Sequence, residues 1–212
     1  MDVKLKKSEK TRKKILEVAM KLFATQGVDK TTTRKIAQKA RISTGLVNHY
    51  FPKSEVIFLE AVRYVFEDFK TKTRSEAREH VGAEKIIQAL KKNYELFLGN
   101  PFHYRCFATS YAYGAINKKF KDLHTYIFNS FTGTIGKYAE EYLKLNGVVR
   151  TKDDIHDLAV GILEELDGSL LFFFFTDHKL SAKVYTEIRL TRLRKKLEHF
   201  LSEAKPSQNR RP

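Results

Sequence analysis

The stretch Ile42–Phe51, ISTGLVNHYF, is followed at once by Pro52. Ser43 is a strong helix-capping residue type, and the proline forbids a helix from running through it. Between them fits a helix of about two turns, with Val47 and Phe51 on one side and Thr44, Asn48 and His49 on the other. A helix this brief is unstable alone and persists only when neighbours prop it. It is too short to supply a core, so its outward edge must be what the chain keeps it for.

The flanking residues supply the props. Upstream, the polar run DKTTT ends in a cap and leads into RKIAQKA, a helix of about two turns with Ile36, Ala37 and Ala40 inward. Before that, Ser8 is expected to cap a helix through TRKKILEVAMKLFATQG, where Ile15, Ala19, Leu22 and Phe23 recur at helical spacing and Gly27 ends it. Downstream, Ser54 is expected to cap one long helix, SEVIFLEAVRYVFEDFKTKTRSEAREH, with Glu55 favourably placed at its positive end. Two short helices, about Thr32–Ala40 and Ser43 to Tyr50 or Phe51, joined by a tight turn describe a helix-turn-helix. The second helix of such a unit enters the DNA major groove. That placement gives each residue a task. Ser43 caps the exposed end, whose amides face a phosphate. Gly45 sacrifices helix stability and lets the backbone come close to the bases. Leu46 suits a thymine methyl, and Thr44 and Asn48 suit base edges. His49 and Tyr50 are long enough to reach phosphate. The competing reading is an ordinary helical corner with a polar outer face.

Charge agrees with the first reading. The net charge is +15, and residues 1–53 carry 11 Lys and 3 Arg against 4 acids, which places +10 of it in the first quarter of the chain. Concentrated basicity draws in polyanions. An alternative on charge alone is a sequence-indifferent DNA-binding or anionic-surface-binding helical protein.

Residues 10–62 resemble the N-terminal domain of the TetR (tetracycline-repressor) family of transcriptional regulators, through ILEVAMKLFATQG, TTTRKIAQKARIS, GLVNHYF and PKSEVIFLEAV in one register. The resemblance implies an all-helical homodimer that puts two probe helices into successive major grooves of a pseudo-palindromic double-stranded operator. It also implies a C-terminal domain with the dimer interface and an inducer cavity. By position, Thr33 matches a phosphate-contacting site and Arg34 one that reads guanine in some members. Thr44, Gly45, Leu46 and Asn48 fall on base-facing positions. Asn48 and His49 replace a frequent tyrosine and its neighbour. Lys53 stands one residue before the family's usual lysine, where this chain has Ser54. Arg41 occupies a turn position where the family often has glycine. The extension KLKKSEK resembles arms that some members lay in the minor groove.

The rest of the chain reads as helix throughout, with no sustained alternation that would mark a sheet. The fold class expected is therefore all-α: a three-helix domain at 1–53 containing the helix-turn-helix, a helical bundle at 54–204 forming a homodimer, and a disordered tail at 205–212. Helices are expected over AEKIIQALKKNYELFLG, YRCFATSYAYGAINKKF, about Lys119–Leu145, DDIHDLAVGILEELDGSLLFFFF and SAKVYTEIRLTRLRKKLEHFLSEA. The last two carry apolar stripes. Ile155, Leu158, Ile162, Leu166 and Leu170 lead into Phe172–Phe175, and Val184, Ile188, Leu193, Leu197 and Phe200 line the other. Dimerisation through a four-helix bundle is expected of Ile162, Leu166, Leu170, Phe173, Ile188, Leu193 and Leu197. LDGSLL also resembles the eighth-helix pattern of many TetR proteins.

The aromatic-rich run Tyr94–Gly114 points to an effector cavity. Tyr94, Phe97, Phe107, Tyr111 and Phe131 are its candidate lining, for a flat, lipophilic or cationic small molecule. Arg105 or the Lys118–Lys119 pair would suit an acidic headgroup. The histidines are scattered without metal-ligand spacing, so no metal and no cofactor are expected. No Gly-rich phosphate loop or G-x-S-x-G is present, and Cys106 lies among apolar residues, so an enzyme is not expected. One cysteine and no long apolar run fit a cytoplasmic protein without a membrane span.

Overall fold

The computed structural model describes residues 2–177 and 179–202, with residues 2–7 by their backbone alone. The expected tail at 205–212 lies outside the described residues. Within them the chain forms α1 (Asp2–Gln26), α2 (Thr33–Ala40), α3 (Thr44–Tyr50), α4 (Ser54–Arg78), α5 (Gly82–Leu98), α6 (Pro101–Ile116), α7 (Lys118–Leu145), α8 (Lys152–Phe175) and α9 (Ala182–Ser202). No extended strand occurs among the described residues, and the all-α expectation holds.

Three local expectations need correction. Ser8 does not cap α1, because the Lys-rich segment before it continues the helix back to Asp2. Likewise Ser54 lies inside α4: the Lys53 carbonyl already accepts from Val56 N (3.1 Å) and Ile57 N (3.2 Å). The segment expected as one helix up to Phe120 breaks at Asn117, which is extended (φ −128°, ψ 117°). Its Oδ1 accepts from Lys119 N at 3.0 Å and so caps α7.

The chain also divides differently from the expected boundary at residue 53. One compact unit holds α1–α3, α4 as far as Asp68, α6, and α7 as far as Thr125; the other holds the remainder of α4 and α7 with α5, α8 and α9. In the first unit, α1 packs on α2 and α6. Ile15, Leu16, Ala19 and Phe23 from α1 meet Ile36, Ala37 and Ala40 from α2 and Ile57, Phe58, Ala61 and Val62 from α4, all buried. The Phe58 ring is the hub, 4.9 Å from that of Phe23 and 5.1 Å from that of Phe120. In the second unit, α5 packs on α8 and α9. Ile86, Leu90 and Tyr94 are buried there along with Leu158, Ile162, Leu166 and Leu170 of α8 and Tyr185, Leu193 and Leu197 of α9. The i, i+4 spacing on α8 places its four residues on one face. Thr151 and Asp154 start α8 with reciprocal side-chain-to-amide bonds of 3.0 and 3.1 Å.

Candidate nucleic-acid interface

Three local devices aim the short helix. Thr32 starts α2, its Oγ1 accepting from Lys35 N at 3.3 Å. Arg41 ends α2 in the left-handed region (φ 54°, ψ 51°), and its amide donates to the Ala37 and Gln38 carbonyls. Ile42 N donates to Ala37 O at 3.1 Å, which completes a 6→1 closure. Ser43 then extends (φ −71°, ψ 148°) and its Oγ accepts from Leu46 N at 3.1 Å, starting α3.

Only two side chains anchor this seven-residue helix in the core: Val47, wholly buried, and Phe51 just past its end, 2% exposed. Arg12 of α1 stacks on the Phe51 ring, 5.4 Å from its centroid, and pairs with Glu60 of α4. The opposite edge carries Thr44, half-buried, and Gly45, Leu46, Asn48 and His49, all exposed. Gly45 is not demanded by internal packing, since a Cβ there would meet nothing nearer than Ser43 Oγ at 4.0 Å. Around this edge Arg34, Lys35, Lys39, Arg41 and Lys53 are exposed, and Thr33 is half-buried at the start of α2. All ten residues expected at the interface lie on α2, α3 or their flanking segments within the first unit. Tyr50 sits there in another role: it is half-buried and its hydroxyl donates to Ser8 Oγ of α1 at 3.1 Å, so that proton is not spare for a phosphate.

The expected effector residues do not stay together. Tyr94, Phe97 and Phe131 belong to the second unit, whereas Phe107 and Tyr111 belong to the first. Tyr94 is buried and its hydroxyl meets Ser169 Oγ at 2.8 Å, and burial pushes its pKa up to about 12. A cavity of ≈ 10 Å³ adjoins it, walled by Leu90, Ile162, Leu166 and Arg189, room for a single water. Phe97 packs edge-on against Phe69, 4.7 Å between centroids, and Phe131 is half-buried. In the first unit Tyr111 stacks on His124 at 4.4 Å and Phe107 meets the same ring edge-on at 5.9 Å. Burial holds the His124 pKa below the usual imidazole value, against an opposing hydrogen bond with the Ser110 backbone, while its Nε2 lies 3.0 Å from Ser110 Oγ. Cys106 is buried and its thiol pushed up to about 12, so the inert thiol and not the thiolate is present near neutral pH. No group of His, Cys, Asp and Glu able to hold a metal is found among the described residues.

The dimerisation residues need the largest correction. Ile162, Leu166, Leu170, Leu193 and Leu197 are buried inside the protomer against α5 and one another, and Phe173 is half-buried with its ring 5.0 Å from Tyr185. Of the seven, only Ile188 is exposed, at 37%. The exposed apolar side chains of α8 and α9 are instead Leu171 (53%), Phe172 (54%), Phe175 (65%) and Val184 (47%), with Leu180 between the helices. The sequence did carry a signal for this second face, since an all-phenylalanine turn cannot point every ring inward.

Residues 15–61 match the profile described as "Bacterial regulatory proteins, tetR family". Over 62 residues the chain is 40% identical to the uncharacterised HTH-type transcriptional regulator YuxN of Bacillus subtilis, a match covering 29% of this chain and 21% of that protein. The chain thus spans about a fifth of that relative's length. Two solved structures are similar along nearly the whole chain. One is a transcriptional regulator from Saccharomonospora viridis in complex with choline (TM-score 0.70, 22% identity, 93% of this chain and 99% of that one). The other is the regulator FadR of Bacillus subtilis in complex with stearoyl-CoA (TM-score 0.73, 18% identity, 85% of this chain and 96% of that one). At these identities the likeness establishes the fold.

Proposed function

We propose that the chain, whose residues 15–61 match the tetR-family profile, is a ligand-responsive, DNA-binding transcriptional regulator, a repressor released from its operator by a small molecule. The reading is carried by one observation: a Ser43-capped helix with two core anchors and an outward edge of Thr44, Gly45, Leu46 and Asn48 ringed by exposed cations. Gly45 fits a backbone that approaches bases, because no internal neighbour needs its missing Cβ. Arg34 is suited to guanine and Asn48 to adenine, whereas Arg41 and Lys53 are suited to phosphates.

Two copies would meet through Leu171, Phe172, Phe175, Val184 and Ile188, whose exposure leaves apolar surface in need of cover. A C2 pair would place two probe helices about one turn of DNA, roughly 34 Å, apart. The effector would enter the second unit among Tyr94, Phe97 and Phe131. Choline in one structural neighbour and stearoyl-CoA in another share little chemistry, so this fold accepts both cationic and lipophilic ligands. To release DNA, the effector must bind the released geometry more tightly than the DNA-bound one. No described helix is long and apolar enough to cross a membrane, and we place the protein in the cytoplasm with its operator.

Selection from random duplexes tests this directly. A regulator returns a pseudo-palindrome, whereas a sequence-indifferent binder returns nothing above background. Against single-base variants of the selected site, Arg34→Ala and Asn48→Ala should each lose roughly 1–3 kcal/mol at particular base pairs, and Lys53→Ala should weaken every sequence alike. A flat profile for Arg34→Ala and Asn48→Ala would refute their base-reading roles.

A further inference from the structure

We propose that a groove on the second unit, between the end of α4 and the middle of α7, binds a small multiply charged oxyanion, an organic phosphate or polycarboxylate. The groove measures ≈ 460 Å³, within the range of ligand sites of roughly 300–1,000 Å³. Arg74 of α4 lines it together with Asn129, Ser130, Thr134 and Lys137 of α7, and no carboxylate is among the lining residues. Gly133 and Tyr138 complete the lining, and both charged residues in it are cations, so the groove repels cations and attracts anions.

Arg74 is positioned for an anion. Its Nη2 donates to Thr134 Oγ1 at 3.1 Å, while the Thr134 hydroxyl gives its own proton to the Ser130 carbonyl at 2.7 Å. Thr134 therefore acts as an acceptor and holds the guanidinium against α7 through one of its five N–H groups. The remaining donors keep the fork geometry that matches an oxyanion. Lys137 is exposed one turn further along. Of the two acids just past it, Glu141 receives Lys85 Nζ at 2.7 and 3.0 Å and is already compensated, and Glu140 is exposed and outside the groove lining.

Gly133 is the second observation. Glycine is the least favourable residue after proline within a helix, yet it sits midway along α7 and lines the groove. A Cβ at Gly133 would meet nothing within 4 Å, whereas one at Gly136, in the same helix, would touch Ile155 at 3.6 Å. Space inside the chain therefore demands glycine at neither position, and at Gly133 the open side lines the groove. The open backbone at Gly133 gives the ligand close access to the groove floor.

The binding site stands on these contacts alone; that its occupant alters operator affinity rests on the regulator reading above. Isothermal titration calorimetry of the full chain with pyrophosphate and with citrate separates the two ligand sources. Saturable binding of at least one at one ion per chain is expected. Arg74→Ala/Lys137→Ala should weaken it roughly tenfold or more, because each loses a charge-assisted donor. Gly133→Leu should weaken it comparably with no change of charge, and Lys144→Ala/Lys183→Ala, at exposed lysines outside the groove, should leave it intact. Equal loss in that control pair would reduce the effect to diffuse surface charge and overturn the proposal. So would the absence of saturable binding of both anions, or Arg74→Ala/Lys137→Ala impairing random duplex binding more than anion binding. Saturable anion binding without any change in operator affinity would leave the site standing and refute its regulatory role.

Discussion

Replacing Arg41 with glycine should stabilise the protein and, on the regulator reading proposed above, weaken its hold on DNA, two effects of opposite sign at one position. Arg41 is the only non-glycine residue at positive φ among the described residues. Its conformation is fixed by the amide bonds that close α2, so it cannot relax without opening them. Holding an L side chain there costs roughly 1–2 kcal/mol. Glycine relieves that cost but frees the unfolded chain by roughly 0.5–1 kcal/mol. The difference is a net gain centred at ~0.75 kcal/mol and lying between about 0 and 1.5. Arg41→Ala retains the backbone cost and removes the same guanidinium, so its stability should stay within about 0.5 kcal/mol of the parent. Urea unfolding followed by far-ultraviolet circular dichroism reads the difference. Protein concentration must be held fixed, because the stability of an oligomer depends on it. At the centre of that range, with a urea slope of about 2–3 kcal/mol per molar, the glycine midpoint should rise by roughly 0.2–0.5 M. In the same samples both variants should lose DNA affinity equally across base sequences, as expected of a phosphate contact. An Arg41→Gly midpoint below that of Arg41→Ala would refute the strain argument.

Other outcomes follow from the two faces of α8 and α9 and from the half-buried His124 imidazole. Phe172→Asp/Phe175→Asp should shift sedimentation toward the monomer with the helical signal preserved; an unchanged dimer would move the interface elsewhere. Leu170→Ala should instead cost roughly 2–5 kcal/mol in thermal unfolding, as for any wholly buried leucine, and a loss below about 1 kcal/mol would contradict its place in the core. Since the folded pKa of His124 lies below its unfolded value, the unfolded chain binds more protons between the two. Its contribution is complete above the unfolded pKa of about 6.5 and is lost as pH falls through the folded pKa. Unfolding at pH 7.5 and 5.5 should therefore differ less in His124→Gln than in the parent, and an equal difference would clear His124 of the effect.

The short helix was legible because its signals are local. A serine cap, a proline stop and two apolar residues four apart define Thr44–Tyr50 without distant information, and the structure agrees residue by residue. The break at Asn117 was not legible. The stretch before it is rich in Ala and Tyr, the stretch after it is basic, and neither proline nor glycine stands at the kink, so only the asparagine cap marks it. The stripe Leu158–Ile162–Leu166–Leu170 was seen, but an i, i+4 stripe reads the same whether α5 and α9 or a second copy covers it. Its assignment required the third dimension. Tyr50 was likewise identifiable as part of the interface, whereas its bond to Ser8, 42 residues away, has no trace in either local segment.

The way α3 is fastened has an evolutionary consequence. Val47 and Phe51 alone tie it to the interior, while Leu46, Asn48 and His49 contribute little to folding because they are exposed. Exposed substitutions of this kind shift stability by no more than about 0.5 kcal/mol. If the chain is the regulator proposed above, its descendants can thus be retargeted to new control sequences by drift along one edge, with no compensating repair elsewhere in the molecule.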